Sequence, residues 1–203
     1  MRVSCLAFAR ILDASGRHCA LLNAGRLKYN NERILSPVGG GLEYFTSGRR
    51  RLESLGAYDF DDRIKPELRF YVPDERVDAV ERWFNAQCGR EIGVLRELDE
   101  ELRRETGVLS KEDINSAVMS GSHLATFTGE TARDVPEKLT RYLIEVSNVT
   151  FPGPAMEKLL EASQFPASER WVYFLDEAEV AARATHDMSA RVGDIMTTIV
   201  PPQ

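Results

Sequence analysis

The order of apolar runs predicts an α+β fold, an α/β/α sandwich built on a mixed sheet. Three observations lead there. Short β-branched and aromatic runs recur along the chain, amphipathic helical stretches fall between them, and the two do not alternate strictly as βαβ units require. No apolar run approaches the ~20 residues needed to span a bilayer. Hydrophobic residues form 43% of the 203 residues and charged residues 29%, enough of both for one globular domain, expected over residues 1–203.

Taken in order, residues 3–12 read as a strand, Asp13-Ala14-Ser15-Gly16 as a turn, and residues 19–22 as a second strand, so that 3–23 form an expected hairpin. The apolar stretch of residues 1–11 is too short for a signal peptide and fits a first strand. A short strand is expected at 33–35. Ser36-Pro37-Val38-Gly39-Gly40-Gly41-Leu42-Glu43 follows as a loop, because three glycines do not sustain a helix interior. Residues 44–65 are polar and irregular, and Arg49-Arg50-Arg51 reads there as a solvated turn ahead of a phosphate contact. Residues 68–72 predict a strand, and Asp74 an N-cap for a helix through Val77, Val80, Trp83 and Phe84. Residues 44–90 thus form an insertion within the domain.

Residues 90–106 predict the strongest helix, with Leu95, Leu98 and Leu102 on its core side and Gly107 closing it. Strands are expected at 117–127, 139–146 and 171–175, and helices at 155–163, 176–184 and 188–199. Cys5, Cys19 and Cys88 are widely spaced and form no metal or disulfide pattern, which fits three reduced thiols. His18, His123 and His186 are scattered and read as structural. A net charge of −6 disfavours broad nucleic-acid binding, which needs a basic surface to displace counterions. A small anionic ligand remains admissible where a metal offsets the repulsion.

At about 100° per residue, Glu97, Glu101 and Glu105 line one side of the helix at roughly 200°, 240° and 280° from Leu95, with Glu100 nearer solvent. Like charges at i, i+4 repel by about 0.2–0.5 kcal/mol per pair. Either Arg96, Arg103 and Arg104 neutralise the stripe as a salt-bridged face, or a hard divalent cation does. The helix alone leaves both open.

The Pro-x-Gly-Gly-Gly-Leu-Glu segment, the Arg-Glu-Leu-x-Glu-Glu helix ending in Gly107-Val108, and Glu169-Arg170-Trp171 ahead of Leu175-Asp176-Glu177 together resemble the Nudix hydrolase superfamily. Two registers compete for its G-x5-E-x7-R-E-U-x-E-E-x-G-U pattern, in which U is aliphatic. Arg96 to Glu101 satisfies R-E-U-x-E-E but has no glycine at the required distance. Counting back from Gly107 keeps Glu101 and Glu105, places Arg104 where a glutamate belongs and Glu100 where the arginine belongs, and suggests a charge pair between positions 100 and 104 with its sense reversed. The long segment between glycines and helix, with its L-R-F-Y-V-P and W-F motifs, is similar to Nudix domains associated with SMODS nucleotidyltransferases of bacterial nucleotide-signalled antiviral defence.

The resemblance implies Mg²⁺ (or Mn²⁺) held by Glu101 and Glu105 with Glu97 or Glu100, and catalysis by Glu101 and Glu97. It implies a backbone at Gly39, Gly40 and Gly41 that approaches a pyrophosphate. It implies a cytoplasmic hydrolase of nucleoside diphosphates linked to another group, whose partner is a nucleotide-derived small molecule, with no membrane and with room for a homodimer. Glu145 is a candidate auxiliary base, against the plainer reading of an outward-facing strand residue. A degenerate module that senses a nucleotide is the rival reading. A partner-binding role for Tyr71, Trp83 and Phe84 of the insertion is the third.

Overall fold

The computed structural model describes residues 1–62, 65–130 and 139–199. Among the described residues, eight strands carry the fold: β1 (Arg2–Arg10), β2 (His18–Leu22), β3 (Ile34–Gly41), β4 (Arg69–Tyr71), β5 (Val118–Glu130), β6 (Leu139–Thr150), β7 (Val172–Leu175) and β8 (Arg191–Val192). Their order is β5-β6-β1-β3-β2-β7, with β4 paired to β1 and β8 to β3. The β3–β8 pair is parallel while β1–β4, β2–β3 and β2–β7 are antiparallel, so the sheet is mixed and the fold α+β, as the sequence predicts.

By contact density the residues fall into two compact units. One gathers Met1–Ala7, Gly40–Gly93 and Ser122–Val146. It holds helices α2 (Thr46–Ser54) and α3 (Val77–Asn85), the latter entered through a 3₁₀ turn at Asp74–Arg76. Its buried side chains include Phe70, Phe84, Leu52, Leu68, Leu143 and Ile144. At its centre Arg90 and Glu145, each 1% exposed, form an ion pair of 2.9 Å. Arg90 also donates to the carbonyls of Phe84 and Glu91 and stacks 4.1 Å from the Phe84 ring centroid. Glu145 is therefore neither outward-facing nor a free base: its charge is committed to Arg90.

The polar stretch expected to be irregular contains α2. Arg49 explains the difference, because one guanidinium bonds Glu53 at 2.8 Å, Asp62 at 2.6 Å and the Tyr44 hydroxyl at 2.6 Å and lies over Phe60. Those contacts order a segment whose sequence has no apolar stripe, and they make Arg49 a structural residue. Trp83 and Phe84 are buried, and Tyr71 stacks on Tyr58, so these aromatic residues pack within the unit.

The second unit gathers Phe8–Gly39, Val94–Gly121 and Ser147–Gln203. It contains α1 (Ala24–Asn30), α4 (Leu95–Leu98) continued by a π-helix over Asp99–Glu105, α5 (Lys111–Asn115), α6 (Gly153–Ala162), α7 (Glu177–Ala182) and α8 (Met196–Ile199). The expected hairpin is only partly formed. Its turn closes through Asp13 N–H to the Arg17 carbonyl and a bridge of Leu12 to His18, but β2 then pairs with β3 and β7, not with β1. A strand buried throughout, as β2 is, needs ladder partners on both edges, and β1 can fill neither while β3 lies between.

Two helical expectations are corrected. Residues 90–94 are not helical, because Arg90 bridges Tyr44 and Gly93 sits at φ 76°. Leu95, expected on the core side, is 46% exposed, whereas Leu98 and Leu102 are fully buried. The final helix begins at Met196 and is described to Ile199, since Arg191–Val192 is drawn into β8 beside β3.

Candidate active site

The site is built on β3 and the helix that begins at Leu95. The glycines expected to form a loop lie instead at the end of β3. Gly39 has φ +138°, a conformation L side chains rarely adopt, and this turns its N–H toward the helix. That N–H donates to Glu101 Oε2 at 2.7 Å. A side chain at position 39 would resist this backbone, so the glycine is there to bring the strand's N–H to a carboxylate. Gly40 and Gly41 continue the strand.

The helix widens to π geometry at Asp99 and keeps it to Glu105. The Thr106 N–H reaches back to the carbonyl of Glu101 at 3.1 Å, five residues earlier. Insertions of this kind are uncommon and concentrate at functional sites, because they re-aim side chains that a regular helix would direct elsewhere. Leu98 and Leu102 anchor the segment in the core, which leaves the glutamates on its other faces.

The four glutamates differ in what holds them. Glu97 is buried and paired with Arg96 at 2.8 Å, and Glu100 is reached by the same guanidinium at 3.3 Å. Glu101 accepts the Gly39 N–H. Burial pushes its carboxyl well above the usual carboxylate range, the Gly39 bond opposes that, and the charges of Glu97, Glu105 and Glu100 add to it. Glu105 is exposed and its side chain makes no hydrogen bond or ion pair among the described residues. The arginines thus neutralise part of the stripe and leave Glu101 and Glu105 uncompensated.

Arg104 does not supply the reversed pair with Glu100. Its Nε donates to Asp99 at 2.8 Å, and Arg103 binds the same carboxylate. These two cations hold the Asp99 carboxyl down at about 2. In π geometry position 99 lies within reach of both 103 and 104, a juxtaposition that a regular 3.6-residue repeat does not anticipate.

Beside Glu101 and Glu105 opens a cavity of about 300 Å³, walled by Leu21, Leu22, Asn23, Ser36, Thr106 and Trp171. Trp171 was expected inside a buried strand. It stands one residue ahead of β7 and is 37% exposed, whereas Val172 to Leu175 are buried. Neither Asn23 nor Ser36 carries a sequence signal for this role, because their convergence depends on the β2–β3 register.

Among the described residues, one group of three ligand-type side chains brings donor atoms within 4.8 Å of one another: Asp176, Glu179 and His186. It is not the expected glutamate set. Asp176 and Glu179 form a reciprocal capping box at the start of α7, and His186 Nε2 lies 2.8 Å from Asp176. Those contacts already use the polar atoms to terminate a helix and tie down the following loop.

The cysteines are free: Cys5 and Cys19 are buried, with thiols pushed up to about 12 chiefly by burial, and Cys88 is exposed. Among the described residues, no helix is long and apolar enough to cross a membrane.

These features define an α+β fold with an acidic, π-widened helix bound to a glycine-ended strand. The family model described as the SMODS-associated NUDIX domain matches residues 1–198, and the chain belongs to that family. The comparisons with curated proteins and with solved structures give no match.

Proposed function

We propose that the protein is a divalent-metal-dependent hydrolase of a nucleoside diphosphate linked to another group, acting within bacterial nucleotide-signalled defence. The observation that carries this reading is Glu101, a half-buried carboxylate at the cavity, fixed by the Gly39 N–H and crowded by three further glutamates. Such a group is costly unless a cation neutralises it. The oxygen-only donor set of Glu101 and Glu105 fits a hard divalent ion, Mg²⁺ or Mn²⁺. Glu97 and Glu100 could join it on release from Arg96, which therefore positions them.

When bound, the ion would supply Lewis-acid neutralisation of phosphate charge. The chain's own residues do the rest. Gly39 fixes the orientation of Glu101. Glu97 or Glu101 accepts the proton of a water whose oxygen bonds to one phosphorus as the P–O–P bridge breaks, the displaced phosphate leaving with the bridging oxygen. Arg104 is held by Asp99 outside the carboxylate set, and this favours a second reading, a module that binds the nucleotide without turnover.

The test is incubation with nucleoside diphosphate derivatives, dinucleotides and cyclic oligonucleotides in Mg²⁺ or Mn²⁺, with products resolved by chromatography. Metal-dependent cleavage that falls at least a hundredfold in Glu101→Gln/Glu105→Gln is the expected result. Binding without cleavage by the unaltered protein would establish the second reading.

A further inference from the structure

We infer that the outer edge of β5 is an interface with a second copy of this chain, the two strands pairing antiparallel about a twofold axis at Thr126. The inference stands apart from the hydrolase reading, since no glutamate of the acidic helix lies on β5. Strand β5 ends the sheet order, and among the described residues no strand pairs with its outer edge. Such an edge offers a row of unused N–H and C=O groups to another strand. Proteins commonly blunt it with lysine, proline or a very short strand, and β5 has none of these over its 13 residues.

Residues 114–129 form the longest stretch of the sequence without Asp, Glu, Lys or Arg, although 29% of the chain is charged. Within that stretch Ser122, His123, Leu124, Thr126 and Thr128 are exposed, so burial does not explain the lack of charge. Pairing of the strand with its own copy does. A lysine or glutamate at the axis would face its like at about 5 Å. Gly121 has φ 62° and interrupts the pleat, so the regular part of the edge runs from Ser122 to Glu130. Those residues span about 30 Å and form about nine ladder hydrogen bonds with a partner strand, against about ten in a standard interface.

With the axis on Thr126, Ala125 meets Phe127 of the second copy and Leu124 meets its Thr128. Phe127 stacks on Tyr142 of β6 at 4.8 Å between centroids, and both residues are half-buried. Ala125 and Gly129 are the small neighbours on that face, which lets two Phe127–Tyr142 stacks meet across the seam. On the opposite face Arg141 of β6 donates to the hydroxyls of Thr126 and Thr128 at 3.1 and 3.3 Å, and Glu81 meets its charge at 2.6 Å. The strand is thus ordered before a partner arrives, and the cation that crosses it is already neutralised.

The full chain is run in sedimentation equilibrium up to about 100 µM, within reach of a transient interface, and should dimerise. Ser122→Lys/Leu124→Lys supplies the charges that guard other edges and should weaken the dimer about tenfold or more. In a Cys88→Ser background, Thr126→Cys brings the two backbones about 5 Å apart, within disulfide range, whereas Ser122→Cys leaves them about 27 Å apart. Mild oxidation should crosslink the first and spare the second. A chain that stays monomeric overturns the inference and leaves the edge to a strand of another protein. A dimer that resists the lysine pair, or crosslinks equally at both positions, overturns it as well. The cysteine variants keep the test decisive if the lysine variant fails to fold.

Discussion

At the residue scale, the buried carboxylate of Glu145 and the half-buried one of Glu101 have opposite fates. Glu145 meets a full positive charge in Arg90, whereas among the described residues Glu101 meets only a backbone dipole and more negative charge. Removing one partner of a buried pair strands the other. Glu145→Ala should therefore cost about 3–5 kcal/mol, read as a lower urea midpoint with unchanged slope. Glu101→Gln keeps a carbonyl for the Gly39 N–H and removes like-charge repulsion. Its melting temperature in EDTA should equal or exceed that of the unaltered chain, and the rise that Mg²⁺ or Mn²⁺ produces in the unaltered chain should disappear. A metal-induced rise that persists in Glu101→Gln would remove that residue from the ligand set.

At the element scale, close backbone approaches and caps decide where helices sit. A Cβ on Gly48 of α2 would lie 2.0 Å from the Gly89 carbonyl oxygen, a backbone atom that cannot swing aside. Gly48→Ala should destabilise by about 1–3 kcal/mol despite the better helix propensity of alanine, checked by denaturant unfolding. The start of α7 responds to pH. Asp176 raises the pKa of His186 above its ordinary 6.5, and His186 lowers that of Asp176 below 3.8. The raised His186 stabilises fully below 6.5 and loses its contribution as pH climbs through its folded value. The depressed Asp176 does so above 3.8 and loses it as pH falls. The melting-temperature difference between the unaltered chain and His186→Gln should thus be larger at pH 5.5 than at pH 8.5. A difference that does not shrink at high pH would leave the pair without an electrostatic role.

The same scale shows what was legible. The helix ending in Gly107, the strand residues Val172 to Leu175 and the helix capped by Asp176 could be read directly, because apolar periodicity and capping residues are local signals. The π-helix could not, because its extra residue per turn reflects what Leu98 and Leu102 must bury and what Glu101 must reach. Helix α2 was missed because its ordering contacts run to Tyr44, Phe60 and Asp62, outside any helical window.

For the whole molecule, a net charge of −6 sets the terms on which an anion binds. In EDTA the affinity for a nucleoside diphosphate should be weak and should rise as salt increases from about 20 to 200 mM, because screening reduces repulsion. With Mg²⁺ affinity should be higher and that dependence lost. A decline with salt in EDTA would instead reveal an arginine-based phosphate site.

By itself the sequence determined the mixed α and β composition, the acidic helix with its terminal glycine, and the likeness that the family match over residues 1–198 bears out. Each is written in local order: periodicity, charge spacing and the succession of motifs. Tertiary structure alone decided that β3 separates β1 from β2, that Gly39 spends its N–H on Glu101, that Glu145 belongs to Arg90, and that Trp171 faces a cavity with Asn23 and Ser36. Those facts join residues far apart in the chain, and which of them meet follows from strand pairing and from the need to satisfy every buried polar group, which no local window contains.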